Sequence, residues 1–91
     1  MVDKISRKSI TFKFYSTEAK SVFVAGCFND WNPSANPMKK NKNGNWSTVV
    51  KLVPGSYEYR FIADGRWKDD PTCQSRRLNL YGSYNCVLNV D

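Results

Sequence analysis

Histidine is absent from this sequence of 91 residues, and so is any long apolar run. Without histidine the chain lacks the usual general base and the commonest metal ligand, so we predict neither a metal site nor a cofactor. No stretch of about 18 apolar residues occurs, which excludes a membrane-spanning helix. The N-terminal segment MVDKISRKS has no apolar centre, so no signal peptide is predicted.

Cysteine is also scarce, with Cys27, Cys73 and Cys86 as the three examples. An odd number with these spacings matches neither a metal-binding motif nor a disulfide framework. We therefore expect three reduced thiols in a cytoplasmic protein.

The length of the chain allows one domain, which we place at residues 1–91 with a core at about 9–90. A net charge of +6 is compatible with an acidic partner or with nucleic acid. The charges are scattered, however, and the densest cluster, KKNK at 39–42, fits a solvated loop better than a binding site.

Apolar and polar residues alternate along short segments, a pattern typical of β-strands with one buried face. These segments are 9–16, 20–25, 46–53, 56–63 and 84–90. Turn pairs separate or close them: Asn43-Gly44, Pro54-Gly55 and Asp64-Gly65. Many short strands without a helical period predict an all-β sandwich or barrel.

The alternation also predicts which side chains face the core. In the segment 56–63 we expect the aromatic residues to point inward and the others outward, with Glu58, Arg60 and Ile62 in the outward set. In the segment 84–90 the inward set is predicted to begin at Tyr84 and to include Cys86, and Asn85 is predicted to face outward.

The three tryptophans fall into two groups. Trp46 has the inward phase of a strand and is predicted to be a core residue. Trp31 and Trp67 occupy loop-like positions among polar residues, where binding groups tend to be found. The alternative is that either indole folds back to close one end of the sandwich. If both are exposed, they form an aromatic patch, which usually marks a binding surface.

Two ligand classes suit such a patch. A pyranose ring has an apolar face of C–H groups that can lie on an indole, and its hydroxyls match the donors and acceptors of Asn, Ser and Arg. Single-stranded nucleic acid also stacks on aromatic rings, but it needs several positive charges along the stacking surface. Only Arg60, Arg66 and Lys68 lie close in sequence to the candidate residues.

Catalysis is not predicted. A glycosidase needs two carboxylates that face each other across the sugar. Asp64, Asp69 and Asp70 lie close in sequence, but Asp64 falls in a predicted turn and the other two precede a proline.

Four ordered segments carry a resemblance to a known family: VFVAGCFNDW (22–31), GNW (44–46), PGSYEYRF (54–61) and DGRW (64–67), followed by Asp70-Pro71. Together they resemble the family-48 carbohydrate-binding module. This is the glycogen-binding domain of the AMP-activated protein kinase beta subunit, and it is similar to the N-terminal domains of isoamylases and glycogen branching enzymes. The resemblance implies an immunoglobulin-like, early-set β-sandwich of about seven short antiparallel strands. It also implies binding of α-1,4-glucans such as glycogen, starch and maltodextrin.

The resemblance further implies a set of sugar-binding residues: Trp31, Arg60, Trp67, Tyr81, Ser83 and Asn85. Both tryptophans are expected to stack on sugar rings. Arg60 stands where those members have a lysine, and Tyr81 stands where they have a leucine, so the preference among linear, cyclic and branched glucans stays open. Arg76 and Arg77 match no binding position and are expected to be solvated.

Some members of the family do not bind sugar and instead pack on a catalytic domain. The alternative function is therefore a regulatory domain that docks on a glucan-processing enzyme or on a kinase-like partner. Nucleic acid and a membrane are not predicted as partners.

Overall fold

The computed structural model describes residues 6–91. Residues 1–5, which belong to the predicted single domain and to the N-terminal segment assessed for a signal peptide, lie outside the described residues. Within the described part, the elements are β1 (Lys8–Tyr15), β2 (Val22–Gly26), a 3-10 helix (Cys27–Asn29), β3 (Lys39–Lys40), β4 (Asn45–Leu52), β5 (Gly55–Ala63), β6 (Arg66–Lys68), β7 (Arg76–Leu78) and β8 (Tyr84–Val90).

The strands form two antiparallel sheets, which confirms the all-β sandwich. One sheet has the order β1-β4-β3, and the other has the order β2-β5-β8-β7 with β6 also paired to β5. The count is one above the seven or so that the resemblance implies. The short strands β3 and β7 lie outside the segments predicted from the alternation. Among residues 6–91, no helix has the length and apolar character needed to cross a membrane.

The predicted alternation in β1 and β4 is confirmed. Phe12 in β1 and both Trp46 and Leu52 in β4 are buried, while Lys13 and Val49 point away from the core and are exposed. The indole nitrogen of Trp46 donates a hydrogen bond to a main-chain carbonyl oxygen at 3.0 Å, so the core tryptophan leaves no polar group unsatisfied. Burial of each such apolar side chain stabilises the folded state by about 1.5–3 kcal/mol.

Two residues differ in exposure from what their predicted faces suggest. Ile62 lies in the outward phase of β5, as predicted, but it is buried because Phe23 and Trp67 flank it in one cross-strand row. Tyr84 was assigned to the inward set, but it is 51% exposed. It pairs with Leu78 of the edge strand β7, which is also exposed, at the end of the sheet.

The expectation of three reduced thiols is wrong for two of them. Cys73 and Cys86 form a disulfide, with their Cα atoms 6.0 Å apart. Cys86 is fully buried on β8, and Cys73 belongs to the segment that joins β6 to β7. Sequence spacing does not reveal this pair, because its formation depends on how that segment folds back against β8. Cys27 is a free, exposed thiol.

The predicted hairpin at Asp64-Gly65 is confirmed. Both residues have left-handed backbone angles, with φ of 50° and 80°, which matches the twist of the strands that they join. The Asp64 carboxylate also accepts hydrogen bonds from the main-chain N–H groups of Lys20 and Ser21, at 2.9 and 3.0 Å. These bonds lower the pKa of Asp64, and they fasten the hairpin to the start of β2.

Candidate functional site

An open groove of about 870 Å³ is lined in part by outward-facing residues of the five-stranded sheet. It brings together five of the six predicted site residues: Trp31, Arg60, Trp67, Tyr81 and Asn85. The sixth, Ser83, does not line the groove. Six residues that were not predicted also line it: Cys27, Glu58, Arg77, Leu78, Asn79 and Leu80.

Trp31 reaches the groove because the chain reverses its direction directly after β2. The 3-10 helix places Phe28 against the core, where its ring stacks on Phe12 with centroids 5.4 Å apart. Asp30 and Trp31 then adopt left-handed backbone angles, with φ of 56° and 58°. Such angles are uncommon for residues other than glycine and persist where the surrounding structure enforces them.

Hydrogen bonds of the Asn29 side chain hold the backbone in this conformation. Its carbonyl oxygen accepts a hydrogen bond from the Gly26 N–H at 3.0 Å, and its amide nitrogen donates to the Val24 carbonyl oxygen at 3.1 Å. The same nitrogen donates to the side chain of Asn36 at 2.6 Å. The main-chain N–H of Trp31 donates a hydrogen bond to the Gly26 carbonyl oxygen at 2.9 Å. Local hydrogen bonds therefore hold the turn that presents the indole.

Trp67 comes from β6, the return strand of the Asp64-Gly65 hairpin, and is 44% exposed. The centroids of the Trp31 and Trp67 rings are 6.3 Å apart, and their planes are inclined by 50°. Both indoles line the groove, and neither closes an end of the core. Because the planes are inclined, a ligand that stacks on both rings has to change direction between them.

Arg60 lies in the middle of β5, between the outward-facing residues Glu58 and Ile62. Its side chain is only 15% exposed, and one terminal nitrogen lies 2.9 Å from a carboxylate oxygen of Asp69. The Nε atom is buried and has no hydrogen-bond partner. The guanidinium is thus held by its ion pair while one of its donors stays unused.

Asn85 takes part in a chain of side-chain hydrogen bonds along the groove. It is buried, and its amide nitrogen donates to Glu58 at 3.1 Å while its carbonyl oxygen accepts from Asn79 at 3.1 Å. The second oxygen of Glu58 pairs with Arg77 at 3.2 Å. The expectation that Arg77 is solvated is therefore incomplete, because it lines the groove and has a partner. The outward phase of Glu58 on β5 was the available signal for this network.

The loop between β7 and β8 forms the remaining side of the groove. The side-chain oxygen of Asn79 accepts hydrogen bonds from the main-chain N–H groups of Tyr81 and Ser83, at 2.9 and 3.1 Å. This turn leaves Tyr81 92% exposed beside the groove. Leu80 is equally exposed, so the edge is apolar.

The three clustered aspartates have structural partners. Asp64 binds the start of β2, and Asp69 pairs with Arg60 and, at 3.7 Å, with Arg76. Arg76 is exposed, as expected, but it also donates a hydrogen bond to the main-chain oxygen of Asp70 at 3.1 Å.

Asp70 is buried beneath the outer layer and accepts a hydrogen bond from the Tyr59 hydroxyl at 2.6 Å. Its other oxygen accepts from the main-chain N–H and the hydroxyl of Thr72. Burial, together with the bond to Asp70, raises the pKa of the Tyr59 hydroxyl above its ordinary value. These contacts give Asp70 a structural role.

Residues 9–91 match a protein family described as the glycogen recognition site of AMP-activated protein kinase. The chain is similar to Protein PTST homolog 2, chloroplastic, of Arabidopsis thaliana, with 44% identity over 57 residues. It is 34% identical over 67 residues to Protein FLOURY ENDOSPERM 6, chloroplastic, of Oryza sativa subsp. japonica. It is 34% identical over 76 residues to 5'-AMP-activated protein kinase subunit beta-2 of Homo sapiens.

These alignments cover 63%, 74% and 84% of this chain, respectively. They cover 10%, 12% and 27% of the three relatives. The chain therefore spans a small part of the length of the proteins that it matches.

Proposed function

Because the chain belongs to the family described as the glycogen recognition site of AMP-activated protein kinase, we propose that it is a non-catalytic module that binds α-1,4-glucans such as glycogen, starch and maltodextrin. The observation that carries this proposal is the indole pair, Trp31 and Trp67, 6.3 Å apart on one open groove. Trp67 is exposed and Trp31 is half-buried, and both lie on the groove beside hydrogen-bonding side chains. This arrangement suits a sugar chain, which presents apolar faces and hydroxyl edges.

The inclination of the two rings favours a curved glucan. An α-1,4-linked chain turns at each linkage, so successive sugars can lie on planes that differ in direction. A β-1,4-linked chain is flat and extended, and it suits coplanar rings. The 50° angle between Trp31 and Trp67 therefore supports an α-linked ligand.

Each predicted contact has a proposed role. Trp31 and Trp67 form the stacking platform, and Tyr81 stacks on the sugar from the loop between β7 and β8. Arg60 donates to sugar hydroxyls from the floor. Asn85 lines the groove with part of its amide already bonded inside the protein, and direct contact by Ser83 stays a prediction.

A role in binding single-stranded nucleic acid is less well supported. The two arginines that line the groove, Arg60 and Arg77, are each paired with a carboxylate. Neutralised cations attract phosphates weakly, whereas neutral sugars need no net charge. A docking domain without sugar binding is not favoured either, because the groove retains both indoles.

The proposal is tested by isothermal titration with maltoheptaose, using cellohexaose as the flat control. Because the site is open, we expect weak binding, about 4–8 kcal/mol, or roughly millimolar to micromolar Kd. The affinity should be nearly the same at 50 mM and 500 mM NaCl. No heat at millimolar maltoheptaose, or equal affinity for cellohexaose, would refute the proposal.

Weak sites of this kind gain strength when they are linked to another binding event. We propose a kinase-like or glucan-processing partner of the module, in line with the kinase subunit among its relatives. The cytoplasmic location stays a prediction, since two of the relatives are named as chloroplastic.

A further inference from the structure

We infer that Asp69 is a positioning residue of the groove, which holds the Arg60 guanidinium in place and cancels its charge, so that the site takes a neutral sugar chain rather than an anionic polymer. The inference rests on the proposed glucan-binding function. It concerns a residue outside the predicted binding set, and a contact that joins β5 to the segment after β6.

The first argument is the burial of Arg60. Its side chain is 15% exposed, and a charged group this far from water is costly unless it has a partner. The carboxylate of Asp69, at 2.9 Å, is the acidic group that meets it. Without that carboxylate, moving the guanidinium from the floor of the groove into water lowers the free energy.

The second argument is the incomplete bonding of Arg60. Asp69 binds a terminal nitrogen with one oxygen, and its other oxygen is turned toward Arg76 at 3.7 Å. The buried Nε of Arg60 is left without a partner. Arg60 is therefore oriented by a single contact, which makes its position depend strongly on Asp69.

The third argument is the charge balance of the groove. Of the residues that line it, Arg60 and Arg77 are positive, and Glu58 is negative. Glu58 is already paired with Arg77 at 3.2 Å, so the charge of Arg60 is offset by Asp69 alone among the contacts of the described residues. Loss of the Asp69 carboxylate leaves a cation beside two indoles, which is the arrangement that suits stacked bases and phosphates.

The position of Asp69 is itself well defined. It directly follows β6 and precedes Asp70, which is anchored by the hydroxyl of Tyr59 at 2.6 Å. The disulfide between Cys73 and Cys86 fastens the same segment to β8. The carboxylate is thus presented by a segment that tertiary contacts hold on both sides of it.

The test compares Asp69→Asn with Asp64→Asn, which makes the same change in net charge. Asp64 does not line the groove, and asparagine tolerates the left-handed angle of that turn. Two binding affinities are measured. Titration calorimetry gives the affinity for maltoheptaose, and fluorescence anisotropy at 50 mM and 300 mM NaCl gives the affinity for an oligothymidylate of ten nucleotides. Urea unfolding shows that each variant is folded.

We expect Asp69→Asn to weaken maltoheptaose binding about tenfold, as for loss of one hydrogen bond from a charged group. The same variant should bind oligothymidylate at least about threefold more tightly at 50 mM NaCl, and this gain should vanish at 300 mM. Asp64→Asn should show neither change. In the double variant Arg60→Gln/Asp69→Asn, the gain for oligothymidylate should disappear, because Arg60 is its source.

Equal gains for Asp69→Asn and Asp64→Asn would overturn the inference, since net charge alone would then explain them. Unchanged maltoheptaose binding by folded Asp69→Asn would overturn it as well, while the proposed function would stand. If the parent protein fails to bind maltoheptaose, the proposed function and this inference both fail.

Discussion

The indoles of Trp31 and Trp67 meet on the groove with their centroids 6.3 Å apart and their planes inclined by 50°. One ring is carried by the turn after β2, and the other by the short return strand β6. Their relative position is set by β5, which pairs with β2 along one edge and with β6 along the other. The platform is therefore as rigid as the sheet beneath it, which lowers the entropy lost when a ligand binds.

Replacement of either platform residue should abolish most of the glucan affinity. We expect Trp31→Ala and Trp67→Ala each to weaken maltoheptaose binding by about tenfold or more, equivalent to at least about 1.4 kcal/mol. Tyr15→Ala is the matched control, because Tyr15 is an exposed aromatic residue on the other sheet. Titration calorimetry measures all three, and equal affinities for Trp31→Ala and Tyr15→Ala would contradict the prediction.

Substitution of Gly26 should unfold the turn that presents Trp31. A Cβ atom at this position would lie 2.5 Å from the main-chain oxygen of Glu58 and 2.6 Å from the ring of Phe28. We expect Gly26→Ala to cost about 3 kcal/mol or more, as in an overpacked core. Gly65→Ala meets no atom within 4 Å and has only its left-handed φ of 80° to disfavour it, at about 1–2 kcal/mol. Urea unfolding would contradict the prediction if Gly65→Ala were the more damaging change.

The buried pair of Tyr59 and Asp70 should make stability fall at high pH. Burial and the hydrogen bond to Asp70 raise the pKa of Tyr59 in the folded state above the unfolded value near 10. The folded state therefore favours the neutral hydroxyl, and this stabilisation is complete below about pH 10. It is lost as the pH rises from the unfolded pKa toward the folded one.

Tyr59→Phe removes this contribution and isolates it from other groups that titrate in the same range. We expect the free energy of unfolding to decline between about pH 10 and 11.5 more steeply in the parent than in Tyr59→Phe. At pH 7 the variant should be less stable by about 1–3 kcal/mol, because the Asp70 oxygen loses a buried donor. Parallel pH profiles of the two proteins in urea unfolding would count against this account.

The disulfide should leave one reactive thiol. Alkylation with iodoacetamide in denaturant without reductant is expected to add one label, at Cys27, whereas prior reduction should allow three. Cys73→Ala should lower stability by about 2–4 kcal/mol, since the cross-link restricts the unfolded chain. Cys27→Ala is the control and should leave the melting temperature within about 2 °C. Three labels without reductant would show that the pair is reduced.

Much of the fold could be predicted from local patterns. Alternation in β1, β4 and β5 gave the right inward faces, since a strand exposes every second residue to the same side. It failed at Tyr84, whose phase is inward but whose strand extends to the exposed edge. It placed Ile62 on the outer face correctly, but it could not show that neighbouring strands bury that part of the face.

In the candidate site, too, some features could be predicted from the sequence and others could not. The exposure of Trp67 and Tyr81 could be foreseen from turn residues and from the resemblance to a family. The partners of the polar groups could not. Glu58 meets Asn85, and Arg60 meets Asp69, through strand pairing and loop direction rather than through any spacing in the chain.

Period-two alternation and turn chemistry act between neighbouring residues, so the sequence by itself determined the longer strands, the hairpin at Asp64-Gly65 and the polar turn around Trp31. Tertiary structure decided which groups from distant segments meet: the two inclined indoles, the Arg60–Asp69 ion pair and the Cys73–Cys86 disulfide. The physical reason is that these contacts depend on strand register and on the path of the loops. Both are set by the packing of the whole sandwich.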